Sequence, residues 1–221
     1  MTSERLVLMF SLGGDLVKIG LLGGTFNPIH MGHLIISEHI RQVFPLDKVI
    51  FIPSSDPPHK DQENLIPAYN RYEMTRLAIQ SNPCFEISDI ELKREGKSYT
   101  FDTIHAIKNE MPLDELYFII GADILYELNT WKDISGIFKK IKFILVGRNR
   151  IEDHKIIKKI EEYNKGYNSS IYYIKGPHIE ISSTLIRELV KEGKSIKYLV
   201  PKEVEGYIIE NNLYTMGDYI G

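Results

Sequence analysis

Short apolar runs alternate with longer amphipathic segments along most of the chain. The first run, residues 17–22, leads into Gly23 and Gly24, as a buried strand does where it enters a tight turn. Between Gly32 and Phe44 the apolar positions follow a helical period instead. Further strands are predicted at 48–52, 85–87, 91–92, 116–120, 142–146 and 171–174. Further helices are predicted at 67–80, 100–109, 153–163, 182–190 and 201–211.

This regular succession of strands and helices indicates the fold class. Strands that alternate with helices pair in parallel, so we predict an α/β fold with a doubly wound, mostly parallel, Rossmann-like sheet. Ligands of such sheets bind at the carboxyl ends of the strands. The chain contains no internal repeat, linker or low-complexity tract, so we predict one domain over residues 17–221, preceded by an N-terminal extension, residues 1–16.

Composition narrows the classes of partner. The formal net charge is -3 for 221 residues, so no overall positive field favours nucleic acid, and an anionic substrate needs local cationic groups. The single cysteine, Cys84, excludes an intramolecular disulfide and agrees with a cytoplasmic location. No apolar run approaches the roughly 20 residues that span a membrane. The sequence leaves the oligomeric state open, a homo-oligomer included.

The junction of the first strand and first helix carries a dense motif. Its residues are Gly23, Gly24, Thr25, Phe26, Asn27, Pro28, Ile29, His30, Met31, Gly32 and His33. Glycines let the backbone approach a ligand and adopt positive φ, and a helix start directs free amides at an anion. His30 and His33 are placed to donate hydrogen bonds to phosphate oxygens. The alternatives are a glycine-rich turn with two incidental histidines, or half of a zinc site whose other ligands stand at no recognisable spacing.

A second motif, Ile181 to Arg187, lies far along the chain. Ser182 suits the N-cap of a helix, and Ser183 and Arg187, four residues apart, share one helical face. A hydroxyl and a guanidinium beside free amides suit a triphosphate. The apolar residues predicted to face inward are Leu185, Ile186, Leu189 and Val190. The alternative is a capped surface helix with an exposed arginine.

Both motifs resemble signatures of one enzyme superfamily. His30-Met31-Gly32-His33 resembles the HxGH signature of nucleotidyltransferases, which class I aminoacyl-tRNA synthetases share, and residues 181–187 resemble their ISSTxxR signature. The longer string from Gly23 to His30 is similar to that of nicotinate-nucleotide adenylyltransferases. The resemblance extends from about residue 17 to 213. It implies a nucleotidyltransferase fold, adenylyl transfer from ATP to nicotinate mononucleotide in NAD biosynthesis, and Mg²⁺ held mainly by ATP phosphates.

The resemblance also implies roles for individual residues. The ATP-binding residues would be Gly23, Gly24, Thr25, Phe26, His30, Gly32, His33, Ile181, Ser182, Ser183 and Arg187. The catalytic residues would be His30, His33, Lys60 and Arg187. The residues that bind the mononucleotide would be Asn27, Lys60, Thr100, Asp123, Trp131 and Lys132.

Four of these substrate assignments rest on short strings, and two of the strings have a plain structural alternative. Pro57-Pro58-His59-Lys60 follows a strand, and it is otherwise an exposed loop. Ser98 to Thr103 resembles the family string SYTxDT, which would bring Thr100 to the pyridine carboxylate at a helix start. Asp123, after Gly121-Ala122, is suited to ribose hydroxyls. Trp131 offers a flat platform for an aromatic ring, although a lone tryptophan is more often a core anchor. Arg148 is a weaker candidate for the adenine or phosphate region.

Other functions stay open at this point. A sister transferase would use phosphopantetheine or nicotinamide mononucleotide. A nucleotide-binding regulator would bind ATP without turnover, and a tRNA-charging fragment would need a second lysine-rich signature that is missing here. Trp131 and Thr100 favour a pyridine carboxylate over pantetheine.

Overall fold

Six parallel strands form one sheet in the order β3-β2-β1-β4-β5-β6. The computed structural model describes residues 16–57, 65–148 and 153–215, and of Arg148 and Asp153 it describes only the backbone. The strands are β1 Lys18–Gly24, β2 Lys48–Pro53, β3 Phe85–Ile87, β4 Glu115–Gly121, β5 Lys142–Arg148 and β6 Ile171–Gly176. The α-helices are α1 Met31–Val43, α2 Ala68–Ile79, α3 Thr100–Glu110, α4 Ile134–Lys140, α5 Asp153–Tyr167, α6 Ser183–Lys191 and α7 Lys202–Glu210. The predicted extension lies outside these residues except for Leu16, which is exposed.

The core lies on both faces of this sheet. Alternate residues of β2 divide between the faces: Val49 and Phe51 belong to one buried cluster, and Ile50 and Ile52 to the other. The first cluster includes side chains of α1, α2, α6 and α7, and the second includes side chains of α3, α4 and α5. A strand covered on both sides has no polar face, so its sequence is a continuous apolar run.

The strand order places a switch point between β1 and β4. From β1 the chain builds β2 and β3 on one side, and it then returns to add β4, β5 and β6 on the other. The crevice beyond the carboxyl ends of β1 and β4 is where doubly wound sheets bind ligands. The predicted α/β fold with a doubly wound sheet is therefore confirmed, and the described sheet is parallel throughout.

Two local predictions differ from the structure, and one helix was not predicted. The strand predicted at 91–92 is wrong: Glu91 and Leu92 lie in a turn in which the Lys93 amide donates to the Asp89 carbonyl at 3.0 Å. Leu185 was expected to face inward, but it is 37% exposed, because α6 turns Ile186 fully into the core. Helix α4 was not predicted; the Asp133 carboxylate caps it by accepting from the Gly136 amide at 3.0 Å.

Among the described residues, no helix combines the length and apolar character that crossing a membrane requires.

Candidate active site

The loop that follows β1 is shaped by Phe26. Its φ of 48° lies in the left-handed region, and its buried ring packs over Gly24, where an added Cβ would come within 2.8 Å of the ring. The sequence predicts that glycines adopt positive φ in this loop, but neither Gly23 nor Gly24 has a positive φ. Gly24 is needed instead because a side chain there would collide with the aromatic ring.

His30 and His33 stack on each other at the start of α1. Their ring centroids are 3.7 Å apart with an interplanar angle of 26°, and the His30 amide donates to His33 Nδ1 at 3.3 Å. His30 is buried, and its Nδ1 has no hydrogen-bond partner among the described residues. A Cβ on Gly32 would lie 3.0 Å from this Nδ1, so the glycine of the motif leaves room for the first histidine ring.

Burial lowers the pKa of His30 to about 4. The charged imidazolium loses hydration that no nearby group replaces, so the neutral ring is favoured. At neutral pH His30 therefore has one N–H to donate and carries no positive charge.

The buried His30 predicts a loss of stability in mild acid. Between the unfolded pKa of 6.5 and the folded pKa of about 4, the unfolded chain takes up a proton that the folded chain refuses. Stability therefore falls as the pH drops through this window, by about 2 kcal/mol between pH 7 and 4.5. Urea unfolding of the wild type and of His30→Asn at several pH values measures this. An equally steep loss in the variant would assign the effect to other groups.

The second motif docks directly on the first. The Ser183 hydroxyl donates to the Pro28 carbonyl at 2.8 Å, and Arg187 Nη1 donates to the Asn27 carbonyl at 2.8 Å. Ser182 caps α6 by accepting from the Leu185 amide at 3.1 Å. Two segments some 155 residues apart thus form one structural unit, with the N-termini of α1 and α6 beside the same loop.

Asn27 is held inside the fold. Its side chain is buried, and its Oδ1 accepts a hydrogen bond from the Tyr214 hydroxyl at 2.9 Å. It lies in the wall of neither cavity described below. Tyr214 is fully buried and was missed in the sequence, since it stands near the C-terminus in no recognisable motif.

Arg71 joins the loops that follow β1 and β2. It is fully buried, and its guanidinium donates to the carbonyls of Thr25 at 2.8 Å, Ser54 at 2.6 Å, Ser55 at 2.9 Å and Ile66 at 3.1 Å. Burial lowers its pKa to about 10. Arg71 was not predicted as a site residue, although it stands at helical spacing from buried Met74 and Ala78 on α2.

A cavity of about 590 Å³ opens at the carboxyl ends of β4 and β5 beside α1. Among the predicted site residues, His33 and Asp123 lie in its wall. Its other wall residues include Ile36, Tyr126, Val146, Gly147 and Ile156, so the surface is mainly apolar around a few polar groups. Small-molecule sites have this character.

A second cavity of about 300 Å³ lies at the carboxyl ends of β1, β2 and β4. Its wall contains Thr25, Thr100 at the first position of α3, and Trp131. The Trp131 ring is half-buried. It lies nearly perpendicular to the Phe118 ring, and the two ring centroids are 6.1 Å apart. The two cavities share the wall residues Leu22, Ile119, Ile120 and Gly121.

Gly23 and Gly24 also line the smaller cavity, whereas other predicted residues lie elsewhere. Lys132 is exposed, pairs with Asp102 at 3.1 Å and is in the wall of neither cavity. Pro57 lines the smaller cavity, whereas His59 and Lys60 fall outside the described residues, as does the side chain of Arg148.

A doubly wound parallel sheet whose first helix begins at His30-Met31-Gly32-His33, with the Ser183 and Arg187 motif docked on the same loop, fits the class of nucleotidyltransferases. The family model described as cytidylyltransferase-like matches residues 21–189. The chain is 46% identical to the probable nicotinate-nucleotide adenylyltransferase of Dictyoglomus thermophilum, over 90% of this chain and 100% of that protein. It is 41% identical to the probable enzyme of the same name from Lachnoclostridium phytofermentans, over 89% and 98%.

The chain thus belongs to the cytidylyltransferase-like family and, within it, to the nicotinate-nucleotide adenylyltransferases. Its fold is similar to that of Plasmodium falciparum nicotinic acid mononucleotide adenylyltransferase complexed with NaAD. The TM-score is 0.73 at 22% identity, over 90% of this chain and 97% of that one.

Proposed function

We propose that this enzyme transfers the adenylyl group of ATP to nicotinate mononucleotide, giving nicotinate adenine dinucleotide and pyrophosphate in NAD biosynthesis. The observation that carries the proposal is the pair of cavities on one shared wall, with Trp131 and the start of α3 in the smaller one. A flat ring suits Trp131, and a ring carboxylate suits the helix N-terminus at Thr100. The larger cavity is left for the adenosine of ATP, so Asp123 in its wall would face that nucleotide and not, as the sequence predicts, the mononucleotide.

The reaction needs alignment more than a nucleophilic side chain. A phosphate oxygen of the mononucleotide attacks the α-phosphorus of ATP and forms the new P–O bond. The bond from the α-phosphorus to the β-phosphate oxygen breaks, and pyrophosphate leaves with the electron pair. The attacking phosphate is already anionic at neutral pH, so positioning and charge neutralisation carry the catalysis.

The two docked motifs provide the groups for this task. His33 lies in the wall of the larger cavity at the start of α1, where a donor and the helix N-terminus meet a phosphate that gains charge. The His30 ring stacks on the His33 ring and holds it in place. Ser183 and Arg187, at the start of α6, are available to the departing pyrophosphate. Arg187 has five N–H donors, so it retains some beyond its bond to the Asn27 carbonyl. Lys60 stays in the proposal on its sequence motif alone.

In this proposal Mg²⁺ binds together with ATP. The part of the chain that the structure describes holds no group of three or more His, Cys, Asp or Glu residues arranged to bind a metal. Mg²⁺ favours phosphate and water oxygens, so a MgATP complex is a fitting substrate. When bound, the ion offsets phosphate charge.

Pyrophosphate release from ATP and Mg²⁺ tests the function directly. We expect release with nicotinate mononucleotide at a kcat/KM at least about tenfold above that with nicotinamide mononucleotide, since only the acid matches a helix N-terminus by charge. Phosphopantetheine should give none. If phosphopantetheine were the only one of the three acceptors to give pyrophosphate release, the proposed substrate would be contradicted. If none of the three acceptors gave release, the enzyme activity itself would be contradicted.

A further inference from the structure

Glu91 is a buried carboxylate in the wall of the smaller cavity. It lies in the turn after β3 and is 7% exposed. Its Oε1 accepts a hydrogen bond from the Thr103 hydroxyl at 2.6 Å, while its Oε2 is buried with no hydrogen-bond partner among the described residues. A buried carboxylate oxygen without a donor is costly, so this atom requires an explanation.

The neighbouring cations do not neutralise Glu91 by direct contact. Arg94 Nη2 donates to the Thr103 hydroxyl at 3.0 Å and not to the carboxylate, and no ion pair of Glu91 occurs among the described residues. The guanidinium of Arg71 donates its hydrogen bonds to backbone carbonyls and not to Glu91. The two groups interact only through their charges, and the charge of Glu91 acts to raise the pKa of Arg71. The other described residues that line this cavity are uncharged.

We propose that Glu91 determines specificity by recognising the positive charge of a pyridinium ring. This inference rests on the proposed function. The ring nitrogen of a pyridine mononucleotide is quaternary because it carries the ribose, so the ring is a flat cation. Trp131 offers its π-system to such a cation from the wall of the same cavity, and Glu91 adds the only negative charge among the described residues of that wall.

The positions along α3 suit the two charges of this substrate. Thr100 begins the helix, and Thr103, which holds Glu91, follows three residues later, a rise of about 4.5 Å along the axis. The ring carboxylate is attracted to the positive helix end at Thr100 and is repelled by Glu91. The cationic part of the ring has the opposite preference. The two sites therefore orient a ring that carries both charges.

A substrate pair that differs only in ring charge tests this role. Reduction of nicotinate mononucleotide to its 1,4-dihydro form makes the ring neutral and keeps the carboxylate, ribose and phosphate. We expect wild-type kcat/KM for the oxidised substrate to exceed that for the reduced one by about tenfold or more. Glu91→Gln, which can still accept from Thr103, should bring this ratio near one through KM for the oxidised substrate. KM for ATP should not change.

Glu95→Gln is the matched control, because Glu95 is exposed on the same segment, and it should keep the wild-type ratio. A wild-type enzyme without preference for the oxidised ring would overturn the proposal, whether or not Glu91→Gln folds. An equal loss of kcat/KM for both substrates in Glu91→Gln would overturn it too, since that is the result of a purely structural role. Failure of the proposed function looks different: wild-type enzyme would then turn over neither substrate.

Discussion

Replacing His33 by alanine is expected to lower kcat by on the order of 100-fold, the usual loss when one preorganised donor to a transition-state oxygen is removed. His33 Nδ1 accepts from the His30 amide, so the neutral ring carries its proton on Nε2. The ring lies in the wall of the larger cavity, stacked on the His30 ring and nearly perpendicular to the Phe26 ring. A ring held in this way loses little freedom as the reaction proceeds.

His39→Ala is the matched control, since His39 lies on the same helix and its Nε2 bonds to the Lys175 carbonyl, away from both cavities. Steady-state pyrophosphate release should show a large fall in kcat for the first variant and little change for the second. Full turnover in His33→Ala would exclude His33 from the reaction.

Replacing Arg71 by methionine is expected to cost about 4 kcal/mol of unfolding free energy, a large part of a typical domain's stability. The exchange removes a poorly hydrated charge, which favours the variant. It also leaves four backbone carbonyls without their donor at a fully buried position. We expect the second effect to dominate, because a methionine cannot donate to any of them and the site admits no bulk water.

Arg76→Met provides the comparison on the same helix. Arg76 is exposed and pairs with Glu73 at 2.9 Å, an arrangement worth about 0.5 kcal/mol or less. Urea unfolding of both variants, analysed at a common slope, gives the difference. A loss below about 1 kcal/mol in Arg71→Met would mean that water replaces the guanidinium at the loop carbonyls.

The fold was predictable because the central strands β1, β2, β4 and β5 are covered on both faces and therefore contain continuous apolar runs. The strand predicted at Glu91-Leu92 was wrong because a single polar–apolar pair does not distinguish a strand edge from a turn. Helix α4 was missed because its capping residue, Asp133, adopts φ of 47°, which local sequence does not reveal. Leu185 was misplaced because helical spacing gives the faces of a helix but not their rotation against the sheet.

The site was predictable where chemistry is concentrated in consecutive residues. The two motifs meet in the structure through the hydrogen bonds of Ser183 and Arg187 to the loop after β1. Glu91 and Arg71 could not be predicted as site residues, for the opposite reason. Each is a single charged residue among ordinary neighbours, and its importance arises from burial, which is a property of the assembled fold.

The two cavities are adjacent, because they share the wall residues Leu22, Ile119, Ile120 and Gly121. One molecule with two linked halves can therefore occupy both. A compound that fills both cavities loses its translational and rotational freedom once, so its second half binds at a high effective concentration. Such a bisubstrate ligand can exceed the affinity of either half by a factor on the order of 100 or more. The dinucleotide product has this shape as well, and the same geometry makes its departure a natural slow step of the catalytic cycle.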